Sequence, residues 1–249
     1  AILGATGIVA QRFFQRLRFH PWLEPVAVVG SPETAGTSHD DCLWSLDEER
    51  PAPSGLTIGG LENIPSLIEN FRNLGVRIIF SALPDEPAER VERNLAAAGF
   101  LVVSHAQIHR LFPDIPLIVP EVNFSDLKLL EKQFDMADGR LISCSNCTVA
   151  PIAITLVPLM KICSISSVRI ATEQALSGGG RKLLAKAHSG EIIAGEIPGE
   201  ADSVVNELTK ILSSDFHIEA ECKRVTRDHG HYARICLLYT SDAADECDS

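Results

Sequence analysis

The chain has 249 residues, of which 45% are hydrophobic and 22% charged, a composition typical of a folded globular protein with one large or two modest domains. Its 22 Lys and Arg against 33 Asp and Glu give a net charge of −11, which disfavours non-specific binding to nucleic acid or to an anionic membrane. Seven scattered cysteines, no N-terminal leader pattern and no apolar run of about 18 residues predict a cytoplasmic protein rather than an exported or membrane-anchored one.

The first residues form an apolar run and a glycine turn, Gly4-Ala5-Thr6-Gly7, which leads into a helix predicted to reach about His20. Glycines let a backbone approach a pyrophosphate, and a new helix presents its N–H groups to it, so the turn predicts a dinucleotide site. An ordinary turn is the alternative, since many turns carry two glycines. The chain starts inside its own first strand, which suggests a fragment at the N-terminus.

Apolar runs then alternate with helical patterns. We predict buried strands at 25–30, 76–83 and 100–104, with a helix at 88–98 closed by Gly99. This alternation predicts a Rossmann-like, doubly wound parallel sheet, whose ligands lie beyond the carboxyl ends of the strands. Residues 37–61 are predicted to form an edge excursion without chemistry, since turn formers and charges dominate them.

The pattern changes after residue 147. Before that point, a helix is predicted at 124–134. After it, a predicted helix at 151–161 precedes an alternating strand at 166–175. Alternation is typical of antiparallel sheets with one buried face, so a second α+β domain is predicted from here. A further helix is expected at 202–212, and strands are expected at 219–223 and 232–238.

Cys147 follows the strand-like run 139–142 and precedes an apolar helix. At such a position, unpaired N–H groups and the positive end of the helix dipole favour the thiolate, which can attack an acyl carbon. A buried, inert cysteine is the alternative, because free cysteines are among the most buried residue types. Cys144 is interpreted as structural, and the Cys-x-x-Cys spacing predicts no metal or redox site without a second ligand pair.

Residues 239–249 fit neither a helix nor a strand and look like translated sequencing adapter. We therefore expect a non-native tail there.

With these residues assembled, the chain resembles the aspartate-β-semialdehyde dehydrogenase family from Ala1 to about Leu238. Several motifs agree with that family in order and spacing. They are Gly4-Ala5-Thr6-Gly7, His20-Pro21-Trp22, Ser81-Ala82-Leu83-Pro84, Pro120-Glu121-Val122-Asn123, Asn146-Cys147-Thr148, Gln174 with Ser177-Gly178-Gly179-Gly180, and Arg224 seven residues before His231.

The resemblance implies NADP-dependent reduction of L-4-aspartyl phosphate to L-aspartate 4-semialdehyde, in the biosynthesis of lysine, threonine and methionine. By resemblance, Cys147 is the nucleophile and forms a thioester, His231 is the general acid/base and Gln174 orients the reacting groups. Taken alone, His231 is better explained as a structural histidine, because imidazole hydrogen bonds are common throughout proteins.

Further roles come from the same resemblance. Substrate-binding residues would be Arg224 for the α-carboxylate, Arg110 and Asn146 for phosphate, and Glu200. Cofactor-binding residues would be Gly4, Ala5, Thr6, Gly7, Ile8, Val9, Ser31, Ser81, Leu83, Pro84, Ser177, Gly178 and Gly179. Glu33 is added because of its position alone, since an acidic residue after the second strand of such a fold would hydrogen-bond the ribose 2′-hydroxyl. A solvated loop glutamate is the alternative.

The resemblance also implies the domain organisation and the partners. A dinucleotide-binding domain would span 1–146 and an incomplete catalytic and dimerisation domain 147–238. The full-length family protein is expected to be a homodimer or homotetramer that binds small-molecule substrates, with no nucleic-acid or membrane partner and no metal.

Three positions depart from the family pattern. Ala201 replaces a glutamate that would contact the substrate amino group, and Ser203 replaces a phosphate-binding lysine. Glu33 stands where an arginine suited to a 2′-phosphate is common, so NAD is a possible cofactor beside NADP. The alternatives are N-acetyl-γ-glutamyl-phosphate reductase, a malonyl thioester reductase of the same fold, or a truncated, inactive dinucleotide-binding module.

Overall fold

A computed structural model describes residues 1–133 and 139–240. The described residues fold into two compact units. The first is formed by Ala1–Pro116 with the described part of 127–144, and the second by Leu117–Asp126 with 145–240. The second unit thus includes a segment, 117–126, that the sequence analysis assigned to the dinucleotide-binding domain. Among the described residues, no helix is both long and apolar enough to cross a bilayer.

The strands in the first half of the chain are short, whereas the second half contains three long strands. They are β1 (Ile2–Leu3), β2 (Val28–Val29), β3 (Ile58–Gly59), β4 (Ile78–Ser81), β5 (Leu101–Ser104), β6 (Leu117–Ile118), β7 (Arg140–Cys144), β8 (Ser164–Gln174), β9 (Gly195–Glu196), β10 (His217–Arg224) and β11 (Tyr232–Thr240). The helices are α1 (Ile8–Leu17), α2 (Ile64–Asn73), α3 (Asp85–Ala97), α4 (Pro120–Asn123), α5 (Val149–Met160), α6 (Gly180–His188) and α7 (Glu200–Leu212).

The first unit contains a parallel sheet in the order β3-β2-β1-β4-β5-β7. Neighbouring residues of one strand face opposite sides, so Leu3 packs with α2 and α3, whereas Ile2 packs with α1. Both faces of the sheet are therefore covered by helices, which explains the continuous apolar runs in the sequence. The predicted doubly wound α/β fold is confirmed.

The second unit contains a mixed sheet in the order β11-β8-β10-β9. Strand β8 pairs antiparallel with β11 but parallel with β10, so the prediction of an antiparallel sheet is wrong for this central pair. The cause is the connection between β8 and β10, which passes through α6 and α7, since parallel neighbours need a long crossover. Helices α5 and α7 share one hydrophobic core with the buried residues of β8 and β10.

Several predicted elements have different limits or types. The helix predicted at 124–134 is a 3₁₀ helix over Phe124–Lys132, directly after α4, and Phe134 lies outside the described residues. The edge excursion at 37–61 contributes the edge strand β3 to the sheet. Strand β11 continues to Thr240, so residues 239 and 240, assigned to the tail, belong to a strand. Residues 241–249 lie outside the described residues.

Candidate active site

The segment that carries Cys147 is a short turn held by the side chain of Asn146. The Asn146 Oδ1 accepts hydrogen bonds from the N–H of Thr148, at 3.0 Å, and from its hydroxyl, at 2.9 Å. Thr148 is the N-cap of α5, so Cys147 lies immediately before the first turn of that helix. Cys147 is exposed, whereas Asn146 and Thr148 on either side are buried. The turn therefore presents one thiol at the positive end of a helix.

His231 is within hydrogen-bonding distance of that thiol, with Nε2 3.1 Å from the Cys147 Sγ. The other ring nitrogen, Nδ1, accepts the backbone N–H of Ala175 at 3.0 Å. A backbone N–H can only donate, so Nδ1 carries no proton and a neutral ring carries its proton on Nε2. The imidazole thus directs an N–H donor at the sulfur.

The surroundings of His231 favour its neutral form. Partial burial lowers the pKa of His231 below its usual 6.5, and the positive charge of Arg224 lowers it further. Arg224 is held by Ala175 as well, because its Nη1 donates to the Ala175 carbonyl at 2.7 Å. The backbone of Ala175 thus orients the side chains of both His231 and Arg224.

Gln174, Asn146 and Glu200 form a second cluster in the same unit. The side-chain amides of Gln174 and Asn146 both donate to the Glu200 Oε1, at 2.7 and 2.8 Å. Gln174 is the last residue of β8, whereas Glu200 is the first residue of α7. The structure therefore brings together the predicted residues Cys147, His231, Gln174, Asn146, Glu200 and Arg224 in the second unit.

The glycine-rich segment after β8 lies directly against this cluster. It forms a 3₁₀ turn, Leu176–Gly179, whose Ser177 N–H donates to the Asp228 carbonyl at 3.0 Å. A Cβ on Gly178 would lie 2.8 Å from the Arg224 Nη1 and 3.1 Å from the His231 Cε1. Glycine at 178 thus leaves room for both side chains. A cofactor role for Ser177, Gly178 and Gly179 stays a prediction.

In the first unit, the glycine turn has the features that a dinucleotide phosphate requires. Gly4 has φ +78°, and a Cβ there would lie 2.6 Å from the Ala82 carbonyl oxygen. The Gly7 N–H closes the turn onto the Gly4 carbonyl at 2.9 Å, and α1 begins at Ile8. The first N–H groups of a helix have no partner within it, and its dipole attracts anions. The residues present therefore fit a pyrophosphate group.

We expect Gly4→Ala to lower the free energy of unfolding by about 1–3 kcal/mol, because the new methyl group meets the Ala82 carbonyl and φ is positive. Thermal unfolding measures this loss, and Gly75→Ala is the control, since Gly75 shares the positive φ but has open space where its Cβ would be. An equal loss in the two variants would show that the close approach to Ala82 contributes nothing.

The other cofactor-binding residues predicted in the first unit lie at strand ends and helix starts. Ser81 ends β4 and is buried, and Pro84 is the N-cap of α3. Leu83 lies between them, and its backbone nitrogen would be 3.5 Å from a Cβ on Gly4. Ser31 and Glu33 are exposed in the turn after β2. These positions agree with the edge at which open parallel sheets bind ligands.

Arg110 is buried in the first unit, where its Nε donates to the Cys144 carbonyl and its Nη2 to the His105 carbonyl, each at 3.1 Å. Its predicted contact with phosphate stays a prediction. Burial raises the pKa of the Cys144 thiol to about 11. Cys144 is therefore a poor nucleophile at neutral pH, in agreement with its interpretation as structural.

One buried acid in the second unit is absent from the residues predicted for the site. Glu207, 1% exposed, accepts the Asn146 N–H at 2.7 Å through Oε2. A signal was present, because Glu207 lies among the apolar residues 204, 205, 208, 211 and 212 of a predicted helix. A glutamate in such a pattern is buried only when its oxygens are hydrogen-bonded.

Comparison with known proteins supports an assignment to one family. Residues 1–130 match the family model described as semialdehyde dehydrogenase, NAD binding domain. The aspartate-semialdehyde dehydrogenase of Archaeoglobus fulgidus is 32% identical over 257 aligned positions, which cover 98% of this chain and 73% of that protein. The malonyl CoA reductase (NADP) of Metallosphaera sedula is 30% identical and covers 97% of this chain and 70% of its own length.

A solved structure agrees with both sequence matches. The crystal structure of aspartate semialdehyde dehydrogenase with NADP from Candida albicans superposes with a TM-score of 0.78 at 30% identity, over 96% of this chain and 71% of that one. These matches and the motifs from Gly4 to His231 show that the chain belongs to the aspartate-semialdehyde dehydrogenase family.

Proposed function

We propose that the protein catalyses the NADP-dependent reductive dephosphorylation of L-4-aspartyl phosphate to L-aspartate 4-semialdehyde. The observation that carries the proposal is the 3.1 Å contact between the Cys147 sulfur and the His231 Nε2, at the start of a helix. In a member of this family, a thiol next to an N–H donor is the arrangement that forms and breaks a thioester.

The chain's own groups perform the steps as follows. The Cys147 thiolate attacks the acyl carbon, the C–O bond to phosphate breaks, and the phosphate takes up one proton from solvent. His231 donates a hydrogen bond from Nε2 to the sulfur and stabilises negative charge there. NADPH, when bound, would supply the hydride for the thioester carbon. The carbon–sulfur bond then breaks, which releases the aldehyde and restores the thiolate.

Substrate contacts follow from the cluster around Cys147. Arg224 is proposed to bind the α-carboxylate through the fork of its guanidinium. Glu200 is proposed to bind the amino group while it accepts from Gln174 and Asn146. Arg110 is proposed to contact the phosphate.

A reductase of acyl-CoA thioesters is the second candidate. The M. sedula relative, whose name describes that activity, is 30% identical to this chain. In addition, Ser203 donates its hydroxyl to Glu207 at the position where the resemblance implies a phosphate-binding lysine. A thioester substrate does not release phosphate, so it does not require that lysine.

The test is an assay in the oxidative direction, with aspartate semialdehyde, phosphate and NADP, followed by the absorbance of the reduced cofactor. We expect reduction that depends on phosphate and is absent in Cys147→Ser. Malonyl-CoA with NADPH is the parallel assay. Activity with malonyl-CoA and none with aspartate semialdehyde would replace the first proposal by the second.

Glu33 predicts a measurable effect on cofactor preference. A carboxylate repels the 2′-phosphate of NADP, whereas a guanidinium attracts it, so Glu33→Arg should raise the ratio of kcat/KM for NADPH over NADH by about 10-fold. Steady-state kinetics with both cofactors measure the ratio, and Glu33→Gln should give an intermediate value. An unchanged ratio in both variants would show that Glu33 does not face the ribose.

The proposal also includes a homodimer or homotetramer and a cytoplasmic compartment. A reducing compartment keeps the Cys147 thiol available for catalysis. Light scattering after gel filtration measures the oligomeric state.

A further inference from the structure

Helix α7 carries a polar stripe beside an apolar one, and in the polar stripe Ser203 and Glu207 are buried whereas Glu200 is half-buried. Glu200, Ser203 and Glu207 are spaced by three and four residues and so lie on one side of the helix. Val204 and Leu208, next to them in sequence, belong to the hydrophobic core of the second unit. Buried carboxylates are costly unless their oxygens accept hydrogen bonds, so a glutamate kept at 207 needs an explanation.

The two oxygens of Glu207 have separate partners. Oε2 accepts the backbone N–H of Asn146 at 2.7 Å, and Oε1 accepts the hydroxyl of Ser203 at 2.9 Å. Ser203, on the same helix, thus fixes the position of the Glu207 carboxylate by a hydrogen bond. The carboxylate in turn binds the N–H of Asn146, which is 61 positions away in the chain. Hydrogen bonds to a charged acceptor are stronger than those between neutral groups.

Asn146 is consequently fixed at three points. Glu207 binds its N–H, Glu200 binds its Nδ2, and its Oδ1 accepts from Thr148. Cys147 is the next residue, so the hydrogen bonds of Asn146 restrict the backbone conformation that determines the direction of the Cys147 side chain.

We propose that Glu207 is a positioning residue for the nucleophile. Its carboxylate fixes the Asn146 N–H and thereby holds the turn that directs Cys147 at the Nε2 of His231. In this role Glu207 acts on the nucleophile through the backbone of Asn146. The inference rests on the proposed role of Cys147 as the nucleophile.

The test compares Glu207→Gln, Glu207→Ala and the control Glu221→Gln, which removes a charge from an exposed position on β10. The measurements are kcat, KM and the rate at which iodoacetamide alkylates Cys147, followed by mass spectrometry of its peptide. We expect Glu207→Ala to lower kcat about 100-fold with KM changed less than about 3-fold, since the Asn146 N–H loses its acceptor. Glu207→Gln should lose less than about 10-fold, because its amide oxygen can still accept that N–H.

The alkylation rate separates positioning from stability. In the Ala variant, Cys147 should be alkylated more slowly than in the wild type, because the sulfur leaves the Nε2–H donor that favours the thiolate. A lower melting temperature with wild-type kcat and a wild-type alkylation rate would overturn the proposal and leave Glu207 a purely structural residue. If the Ala variant does not fold, Glu207→Leu replaces it, because leucine fills a similar volume but has no hydrogen-bond acceptor. A kcat equal to that of the wild type in both Glu207→Gln and Glu207→Leu would also overturn the proposal.

The two proposals fail in distinguishable ways. If wild-type protein does not act on aspartate semialdehyde, the proposed function fails, yet the alkylation rates still decide whether Glu207 positions Cys147.

Discussion

Cys147→Ser should lower kcat by about 10⁴-fold or more in the phosphate-dependent assay with aspartate semialdehyde and NADP. The hydroxyl replaces a thiol of nearly the same size, so the contact with His231 and the turn at Asn146 stay in place. An alcohol does not ionise near neutral pH, and an oxygen ester is a poorer hydride acceptor than a thioester. The loss should therefore appear in kcat, with nucleotide affinity retained.

Cys144→Ser is the matched control, three residues earlier in the chain. Because burial raises the pKa of Cys144 to about 11, its thiol does not contribute a thiolate near pH 7. Its kcat should stay within about 2-fold of the wild-type value, as for a site outside the chemistry. A large loss in this control, or residual activity of a few per cent in Cys147→Ser, would remove Cys147 from the role of nucleophile.

Replacement of His231 should show whether the ring acts mainly as a donor. With Nδ1 occupied by the Ala175 N–H, the neutral ring offers a proton at Nε2 and no lone pair there. His231→Ala should lower kcat by about 10³-fold, whereas His231→Gln, which keeps a side-chain N–H, should be at least about 10-fold more active than the Ala variant. Steady-state kinetics of folded variants measure this difference. Equal losses in the two variants would instead indicate that the ring must accept a proton, as the general acid/base role requires.

The same residue predicts the pH dependence. The folded pKa of His231 lies below 6.5, because of burial and then the charge of Arg224. The neutral ring persists above that lower pKa, so the acidic limb of kcat/KM should lie below pH 6.5. Between the folded pKa and pH 6.5, the folded protein binds fewer protons at His231 than the unfolded chain does. The free energy of unfolding should therefore decrease as pH falls from 6.5 to the folded pKa, and His231 should change it no further below that pKa. Neutralising Arg224 should move the acidic limb upward.

The first unit could be predicted well because its signals are local. Continuous apolar runs, the turn from Gly4 to Gly7 and the glycine after α3 each require only a few neighbouring residues. Elements without such a signal were missed or misjudged. Strand β3 is short and lies in a segment rich in turn formers and charges, and the 3₁₀ helix at Phe124–Lys132 has the composition of an α-helix.

The candidate site was predictable only in part, because its key contacts join distant residues. The position of Cys147 before an apolar helix indicated a nucleophile, and the family resemblance added His231 as its partner. Neither predicts the tautomer of His231, which depends on a backbone N–H 56 positions away. Glu207 was missed for a similar reason, because its partner N–H is 61 positions away. Ser203 was interpreted only as a departure from the family, whereas the structure gives it a hydrogen bond to Glu207.

The double role of Ala175 has a dynamic consequence. Its N–H binds His231 and its carbonyl binds Arg224, so the positions of both side chains depend on the single residue that follows β8. When thermal motion displaces that residue, the imidazole and the guanidinium are carried in the same direction. The distance between them should therefore fluctuate less than the position of either group. Local motion of the loop would then leave the spacing between the His231 ring, which contacts the thiol, and the Arg224 group, which is proposed to bind the α-carboxylate, nearly unchanged.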